Sequence, residues 1–328
     1  MHGSNKSVLS VSSNNRLKDP HITVGLCVKN NETFIDETMA SLVSQDFPVE
    51  QMELLVVDGY SKDKTIEIIK HYASKANMVY RIFFEKEGLG VARQMVVDKA
   101  NGKYIVWVDG DLVLSRNYVR VLFELMEANP NVGIAKGKYS LSSGTNSVAT
   151  LEIYSRAAGK MVDFNSKIKT SSMGTAGCIY RVDAIREIGG FDSAIVGYGE
   201  DWDAEYRVRA AGWMLRTIDV YYRDYERRGL TWSDIWRKYL RRGYDSHLIF
   251  HKNEGSIELY KWTPLAASVS GFLHSLVLYR LTSKKIAFFL PLQYTFKMTA
   301  WCLGFCRKML ESPKVGRLIN EYSTFNDF

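Results

Sequence analysis

Several features that many proteins of this size contain are scarce in this sequence. Its 328 residues include only four cysteines, which are scattered and form no C-x-x-C pair. This usage excludes a disulfide framework and fits a reducing compartment. Proline is also rare, with six residues, so we expect most of the chain to fold around a core. No G-x-G-x-x-G segment follows the first predicted strand, which argues against a dinucleotide-binding protein.

The beginning of the chain and its charge narrow the possibilities further. Residues 1–20 are rich in Ser and Asn and contain no long apolar stretch, so we predict a disordered tail and not a signal peptide. The formal net charge of +7 permits phosphates, acidic lipid headgroups or nucleic acid as partners. A nucleic-acid binder would also need basic patches with interleaved aromatic residues on one surface, and we expect no nucleic-acid partner.

The most informative stretch is residues 103–114, KYIVWVDGDLVL. Its β-branched and aromatic residues predict a buried strand that ends at Asp109-Gly110-Asp111. In open α/β sheets ligands bind beyond the carboxyl ends of the strands, so both carboxylates face the predicted crevice. Two hard oxygen donors can hold Mg²⁺ or Mn²⁺, ions that commonly bridge to phosphates. For these three residues alone, a solvated turn is the alternative.

The first half of the chain alternates apolar strands with amphipathic helices. We predict strands over residues 22–28, 53–57, 78–84 and 104–108, and helices over residues 33–45, 64–74 and 91–100. This alternation predicts an α/β fold with a mostly parallel, doubly wound sheet. Further helices are predicted over residues 116–128, 148–161, 200–211 and 232–245, and further strands over residues 132–139, 177–181 and 214–221. Asp58 and Asp109 each end a strand, so both can line one crevice.

Charged residues follow glycines at two helix starts. Arg93 comes after Gly88-Leu89-Gly90, where its guanidinium and backbone N–H groups could meet phosphate; a surface arginine is the alternative. Glu200, Asp201 and Asp203 lie in the first turn of the helix over residues 200–211. Acids there usually stabilise the helix start, although one of them could serve as a general base.

Together these motifs resemble family 2 of the inverting nucleotide-sugar glycosyltransferases. That family shares a Rossmann-like nucleotide-diphospho-sugar transferase fold of the GT-A type. The resemblance covers about residues 22–243, and its motifs occur in order: Asn30 after the first strand, VVDGYSKDKT, EGLGVARQ, VWVDGDLVL, GTAG, GGFD and GYGEDWDAEYRVRAAG. Each motif alone is weak, whereas the ordered set is specific.

The resemblance implies roles for individual residues. Asp58 would contact the nucleoside base, Arg93 would lie near the pyrophosphate, and Asp109 would contact the ribose or a metal-bound water. Asp111 would ligate the metal, and Asp201, paired with Glu200, would be the catalytic base. The predicted donor-binding set is Val28, Asn30, Asp58, Arg93, Asp109, Gly110, Gly174, Thr175 and Arg242. Arg242 belongs to the basic helix over residues 232–245, for which a solvated charged face is the alternative.

The residues agree with an inverting transfer. This reaction needs one base to deprotonate the acceptor hydroxyl and one cation to stabilise charge on the leaving diphosphate. We therefore predict an enzyme that uses Mn²⁺ or Mg²⁺ to move one sugar from a UDP- or GDP-sugar to a lipid-linked or cell-envelope glycan. Two alternatives remain. One is a polyprenyl-phosphate monosaccharide synthase, whose phosphate nucleophile needs little base catalysis, and the other is a non-catalytic nucleotide-sugar binding protein.

The sequence departs from the family pattern in three places. Cys27-Val28-Lys29 stands where the family often has Pro-Thr-aromatic. A histidine metal ligand that many members have after the last strand is absent, so either Asp224 substitutes or the third ligand is missing. The Q-x-x-R-W motif of processive polysaccharide synthases is also absent, which favours a single transfer per acceptor.

The C-terminal part is apolar. Residues 262–281 and 286–306 are each long enough to span a bilayer, but Lys297 would be costly near the centre of a span. Arg280, Lys284 and Lys285 in the connection also contradict the positive-inside bias expected for a cytosolic enzyme. We predict a catalytic domain over residues 21–255 and a helical region over residues 256–328 that lies on the cytoplasmic membrane surface. The alternative is that these helices pack as ordinary soluble helices.

Overall fold

The computed structural model describes residues 20–159, 172–195, 197–224, 229–252 and 263–311. Their contacts separate two compact units. Among the described residues, the first unit contains 20–140, 172–195 and 197–224, and the second contains 141–159, 229–252 and 263–311. Residues 1–19 of the predicted tail and the predicted boundary at residues 255 and 256 lie outside the described residues.

The first unit is built on an eight-stranded sheet. Its strands are β1 Ile22–Val28, β2 Met52–Asp58, β3 Val79–Phe84, β4 Tyr104–Asp109, β5 Leu112–Leu114, β6 Val132–Tyr139, β7 Cys178–Arg181 and β8 Met214–Asp224. They follow the order β3-β2-β1-β4-β7-β6-β8-β5. The first four strands in chain order pair in parallel, as do β6 and β8. The predicted α/β fold is therefore confirmed, although β7 and β5 add antiparallel pairs that the sequence pattern did not predict.

Six helices of the first unit are described: α1 Ile35–Val43, α2 Thr65–Lys75, α3 Leu89–Lys99, α4 Tyr118–Ala128, α6 Val182–Glu187 and α7 Glu200–Ala210. Strand β2 is buried at every position, as expected for a strand with both faces covered. One core cluster contains Trp107, Val96, Tyr180 and Phe191. It packs β4 and β7 against α3 and so fixes the strand ends that carry the predicted acids.

The second unit is helical. It contains α5 Ser147–Gly159, α8 Trp232–Lys252, α9 Pro264–Thr282, a 3₁₀ turn Lys285–Phe289 and α10 Leu290–Leu310. Helix α8 thus extends beyond the predicted residues 232–245. The backbones of α8 and α10 approach closely, since a Cβ on Gly304 would lie 1.9 Å from the carbonyl oxygen of Leu240. The contacts group α5 and α8 with the C-terminal helices, whereas the sequence placed both in the catalytic domain.

The structure describes one long helix over most of each apolar C-terminal run, α9 and α10. No helix in the described ranges combines the length and apolarity that a bilayer crossing requires. Lys297, the charge that argued against a span, is buried in the second unit and ion-paired with Glu152 of α5.

Candidate active site

The predicted acids lie along one edge of the sheet. In the register of β1, Val28 is opposite Asp58 of β2 and Cys27 is opposite Asp109 of β4. Neighbouring strands are about 4.8 Å apart, so the two acids lie on either side of β1 at the carboxyl ends of the strands. Asp58 is fully buried, whereas the side chain of Asp109 is 42% exposed. Asp109 is therefore the acid of this pair that a ligand can reach from solvent.

Asp58 holds a turn together. Its carboxylate accepts hydrogen bonds from the backbone N–H and the hydroxyl of Ser61. Asn30 joins the same turn, because its N–H donates to Ser61 Oγ at 2.8 Å and its Oδ1 accepts from Lys62 N at 2.9 Å. The carbonyl of Val28 accepts from Gly59 N at 2.7 Å. The structure thus brings together three residues of the predicted donor-binding set, and the buried carboxylate of Asp58 holds the turn in place.

A cleft adjoins this turn. It has a volume of about 270 Å³, and Val28, Gly59, Gly88 and Leu89 are among its lining residues. The cleft lies between the ends of β1 and β2 and the start of α3. It offers a recess at the edge where the sequence places the nucleoside.

Arg93 joins three elements of the site. It projects from α3 with 4% exposure, which excludes the surface-arginine alternative. Its guanidinium pairs with buried Glu200 at the start of α7, and it lies 3.6 Å from Asp109 Oδ1. Burial alone would lower the pKa of Arg93, but Glu200 and Asp109 hold it above its usual range. A permanent positive charge therefore connects the end of β4 with the first turn of α7.

The acids at the start of α7 are not equivalent. Asp203 is fully buried and accepts from Arg207 at 2.6 Å, while Arg207 also donates to the carbonyls of Ile188 and Gly190. Asp203 therefore has a structural role. Glu200 binds Arg93, and its pKa is raised by burial and by Asp201, against the opposing effect of Arg93. Asp201 is half-buried and accepts only a local hydrogen bond among those described, from Trp202 N at 2.8 Å.

The Gly174 loop borders Asp201. Gly174 has a φ of +66°, and a Cβ built there would lie 3.4 Å from Asp201 Oδ2. Thr175 is buried, and its carbonyl accepts from Cys178 N at 2.8 Å. Gly177 N donates to the carbonyl of Trp107 in β4 at 2.9 Å. The loop thus lies between the end of β4 and Asp201, and the predicted donor-binding role of Gly174 and Thr175 stays a prediction.

Two buried charged residues of this region were missed by the sequence analysis. Lys136 of β6 donates to the carbonyls of Met173 and Gly174, the latter at 3.0 Å. Glu205 of α7 accepts from Met173 N at 2.9 Å. Burial, assisted by Asp201, raises the pKa of Glu205 to about 7. Glu205 follows Asp201 by one helical turn, a spacing that could have revealed it.

The structure brings the predicted metal ligands near one another but does not arrange them as a complete metal site. Asp109 and Asp111 flank Gly110, and Asp224 is next to them because it pairs in register with Leu112. Across the described ranges, no group of three or more His, Cys, Asp or Glu residues is arranged to hold a metal ion. Two aspartates with a solvent-accessible oxygen fit an ion such as Mg²⁺ or Mn²⁺, which takes further ligands from substrate phosphates and water. The three-residue ligand set stays a prediction.

Arg242 belongs to the second unit. It lies on α8, and its guanidinium is 5.3 Å from the ring centroid of Tyr239. Its predicted contact with the donor stays a prediction.

Comparison with known proteins identifies the family. Residues 23–189, about half of the chain, match the model of Glycosyl transferase family 2. The chain belongs to glycosyl transferase family 2. The resemblance derived from the sequence is thereby confirmed, as is the assignment of the chain as a glycosyltransferase. The family match includes Asp58, Arg93, Asp109, Asp111 and the Gly174 loop, and it ends before α7.

Curated relatives carry glycosyltransferase names. The poly(ribitol-phosphate) beta-N-acetylglucosaminyltransferase TarS of Staphylococcus aureus is 33% identical over 92 residues, which are 28% of this chain and 16% of TarS. Glycosyltransferase GlyA of Streptococcus pneumoniae is 29% identical over 123 residues, which are 38% of this chain and 17% of GlyA. The chain therefore matches less than a fifth of the length of either relative.

Solved structures share the fold of this family 2 member. The mannosyltransferase PcManGT from Pyrobaculum calidifontis, in complex with GDP-Man and Mn²⁺, has a TM-score of 0.63 at 15% identity. That match covers 94% of this chain and 92% of PcManGT. Residues 1–349 of S. aureus TarS in complex with UDP-GlcNAc have a TM-score of 0.50 at 18% identity, covering 84% of this chain and 81% of that one. These similarities confirm the GT-A fold.

Proposed function

We propose that this protein is a metal-dependent inverting glycosyltransferase that moves one sugar from a nucleoside diphosphate sugar to a lipid-linked or cell-envelope glycan. The observation that carries the proposal is the chain of contacts from Asp109 through Arg93 to Glu200. It couples the acids at the end of β4 to the first turn of α7, where Asp201 borders the Gly174 loop. One site then contains both a diphosphate-binding edge and a general base.

The proton transfer is assigned to Asp201. Its carboxylate takes the proton of the acceptor hydroxyl while the hydroxyl oxygen bonds to the anomeric carbon and the bond to the diphosphate oxygen breaks. The nucleoside diphosphate leaves with the bonding electron pair, and attack from the opposite face inverts the anomeric centre. Glu200 is engaged by Arg93, so Asp201 is the acid of this pair available to the acceptor.

The negative charge of the leaving group requires compensation. Arg93 supplies a permanent positive charge next to Asp109, and oriented charges in a partly buried site stabilise a developing anion more strongly than they would in water. A Mn²⁺ or Mg²⁺ ion held by Asp109 and Asp111, with Asp224 as the candidate third ligand, would neutralise further charge on the diphosphate. The Mn²⁺ in the PcManGT complex supports this assignment.

The donor assignment rests on the cleft beside the Asp58 turn. GDP-Man in PcManGT and UDP-GlcNAc in TarS support a GDP- or UDP-sugar as the donor. We assign the nucleoside to the cleft lined by Val28 and Gly59, beside the turn that Asn30 and the buried Asp58 hold in place. We assign the donor sugar to the loop at Gly174 and Thr175.

The acceptor is assigned from the relatives and from the C-terminal helices. The poly(ribitol-phosphate) acceptor in the name of TarS supports a cell-envelope glycan. The exposed apolar side chains of the second unit support a peripheral or monotopic position at the cytoplasmic face of the cell membrane, where a lipid-linked acceptor would be within reach.

Thermal unfolding with nucleotides tests the proposal. The melting temperature of the full-length protein is measured with UDP, GDP, CDP and dTDP, each with and without Mn²⁺. A ligand that binds only the folded state raises the melting temperature, and we expect a rise with one nucleotide that requires Mn²⁺. Asp111→Ala should abolish the rise, whereas Asp183→Ala, at an exposed position on α6, should retain it. The proposal is wrong if no nucleotide produces a rise.

A further inference from the structure

The C-terminal helices have an unusual charge composition. Residues 263–310 contain no Asp or Glu but include six basic residues, Arg280, Lys284, Lys285, Lys297, Arg307 and Lys308. They therefore contribute +6 to a chain whose net charge is +7. Lys297 pairs with Glu152 and Arg307 pairs with Glu311. Arg280, Lys284 and Lys285 lie between the last turn of α9 and the start of the 3₁₀ turn.

Helix α9 buries mainly small residues and exposes most of its large apolar ones. Its buried positions are Ala267, Gly271, Ser275 and Leu278. A Cβ on Gly271 would lie 2.7 Å from Cα of Pro291, so these small residues allow α9 and α10 to pack closely. A helix of an ordinary soluble protein turns its large apolar residues toward the core. The expectation that these helices pack as ordinary soluble helices is therefore not supported for α9.

The exposed residues form a continuous apolar face. On α9 and the residues after it they are Leu265, Val269, Phe272, Leu273, Leu276, Val277, Leu281, Phe288, Phe289 and Leu292, which we call the apolar face. Their exposed fractions range from 40% for Leu276 to 77% for Leu265. Isolated exposed apolar residues are common, whereas a contiguous set of this size marks an interaction surface.

Basic residues border the apolar face. Arg280 lies in the last turn of α9, and Lys284 and Lys285 follow it before Phe288 and Phe289. All three side chains are exposed. Lys284 contacts the hydroxyl of Ser143, and no acidic residue occurs in this stretch of the sequence. A large apolar face bordered by cations and without acids suits an anionic membrane surface, because acyl chains accept the apolar side chains and headgroups attract the cations.

Charge also discriminates between possible occupants of this face. A second copy of the chain would bring another set of cations against the first, without acids from residues 263–310 to compensate them. Anionic headgroups provide the opposite charge, and the acyl region next to them accepts the apolar side chains. The composition thus favours a lipid surface over self-association.

We propose that the apolar face is a membrane-binding surface, on which α9 lies parallel to the plane of an anionic bilayer. Phe272, Leu276 and Phe289 enter the boundary between headgroups and acyl chains, and Lys284 and Lys285 contact lipid phosphates. The inference rests on the membrane location in the proposed function and assigns it to particular residues. It does not depend on the identity of the donor.

Vesicle flotation of the full-length protein tests the assignment. Vesicles of phosphatidylcholine alone are compared with vesicles containing 30 mol% phosphatidylglycerol, with about tenfold stronger binding expected for the anionic set. Phe272→Ser combined with Leu276→Ser should weaken that binding at least tenfold. Tyr221→Ser, at an exposed aromatic position of the first unit, is the matched control and should bind as the original protein does. Lys284→Gln combined with Lys285→Gln should reduce the preference for anionic vesicles.

Several outcomes would overturn the assignment. One is binding that persists in the Phe272/Leu276 variant, and another is absence of binding by a protein that is folded by circular dichroism. Sedimentation velocity tests self-association as the alternative. If the protein is a dimer and the same two substitutions dissociate it, the apolar face is an interface between copies of the chain. Nucleotide-dependent melting is measured on the same preparations, so a failure of the donor site is distinguished from a failure of the membrane surface.

Discussion

In the second unit, Glu152 is buried among basic side chains, with Lys297 in direct contact, Arg156 at 3.4 Å and Lys238 at 3.8 Å. In the first unit, Glu205 is equally buried, but it accepts a backbone hydrogen bond from Met173 and lies among groups that include the acidic Asp201. Burial by itself would raise the pKa of both carboxyls. The cations lower the pKa of Glu152 below its usual range, whereas the pKa of Glu205 is raised to about 7.

The two pKa shifts indicate different roles. The charge of Glu152 is balanced by neighbouring cations and serves packing, whereas the charge of Glu205 is poorly balanced and lies beside Asp201. A well-paired buried charge holds two or more elements in register, as Glu152 does for α5 and α10. Groups with pKa values raised by burial and by like charge occur preferentially at functional sites. Glu200 and Glu205 on α7 have raised pKa values, and both lie near Asp201. The comparison therefore supports the proposal that the chemistry takes place in the first unit.

The largest effect is expected for Asp201→Asn. The substitution keeps the shape of the side chain but removes the base, so the transfer rate should fall by about 10³-fold. The nucleotide-dependent rise in melting temperature should persist, because donor binding uses other residues. The measurement is the steady-state transfer rate, with Glu152→Gln as the control in the second unit.

The Glu152→Gln control distinguishes a loss of stability from a loss of catalysis. Glu152→Gln should destabilise the protein but leave the rate per folded molecule unchanged. A nearly unchanged rate in Asp201→Asn would contradict the hydroxyl-acceptor mechanism and favour a phosphate nucleophile, as in the synthesis of polyprenyl-phosphate monosaccharides.

Lys297→Met tests the structural role of the second cluster. Removing one partner of a buried ion pair costs about 3 kcal/mol, and the remaining Arg156 and Lys238 compensate Glu152 only in part. The free energy of unfolding is measured by denaturant titration, with hydrogen exchange of α5 and α10 as the local readout. The double variant Glu152→Gln with Lys297→Met should be less destabilised than the sum of the single variants. Strict additivity would contradict a coupled ion pair.

The sequence was sufficient where a local pattern determines the structure. The continuous apolar run of β4 followed by Asp109 predicted a buried strand with an acid at its carboxyl end, and the register of β1 confirms that Asp58 and Asp109 share one edge. The first turn of α7 was likewise predicted from its glycine-rich approach and its acids. Such signals lie within about ten consecutive residues.

Interactions between distant parts of the chain could not be predicted in the same way. Lys136 lies in the strand VGIAKGKY. The sequence of this strand does not show whether the lysine is buried or exposed. Its partners, Met173 and Gly174, are 37 and 38 residues away. The grouping of α5 with the C-terminal helices also depends on long-range contacts, including that between Glu152 and Lys297. For α9 the composition showed apolarity, but only the packing showed which face is exposed.

Replacing Glu205 and replacing Glu152 should change the free energy of unfolding in opposite directions at alkaline pH. The carboxyl of Glu205 ionises near pH 4.5 in the unfolded chain and near 7 in the folded protein, so its contribution reduces stability as the pH rises through this window. Glu205→Gln should therefore stabilise the protein above pH 7, by about 3 kcal/mol, and have little effect near pH 4.5. The measurement is the free energy of unfolding at pH 4.5 and pH 8.

Glu152 supplies the matched comparison. Its pKa is lowered in the folded protein, so its stabilising effect is present above pH 4.5 and is lost as the pH falls below that value. Glu152→Gln should destabilise at pH 8. Equal responses of the two variants at pH 8 would contradict the opposite electrostatic surroundings of the two sites.

The smallest predicted effect on the transfer rate comes from adding a methyl group beside Asp201. Gly174 and Gly189 have similar left-handed backbones, with φ of +66° and +78°, so an alanine at either position should cost about 1 kcal/mol of stability. Their surroundings differ, because a Cβ on Gly174 would lie 3.4 Å from Asp201 Oδ2 and a Cβ on Gly189 would have no atom within 4 Å.

Comparing the two alanine variants distinguishes an effect of backbone strain from an effect of blocked access to Asp201. Gly174→Ala places a methyl group where the acceptor hydroxyl must approach Asp201, and we expect the transfer rate to fall about tenfold, or about 1.4 kcal/mol in the barrier. Gly189→Ala should lose similar stability and retain its rate. Rates are compared below the melting temperatures of both variants. Equal loss of rate in the two variants would mean that strain in the loops, and not space beside Asp201, controls the reaction.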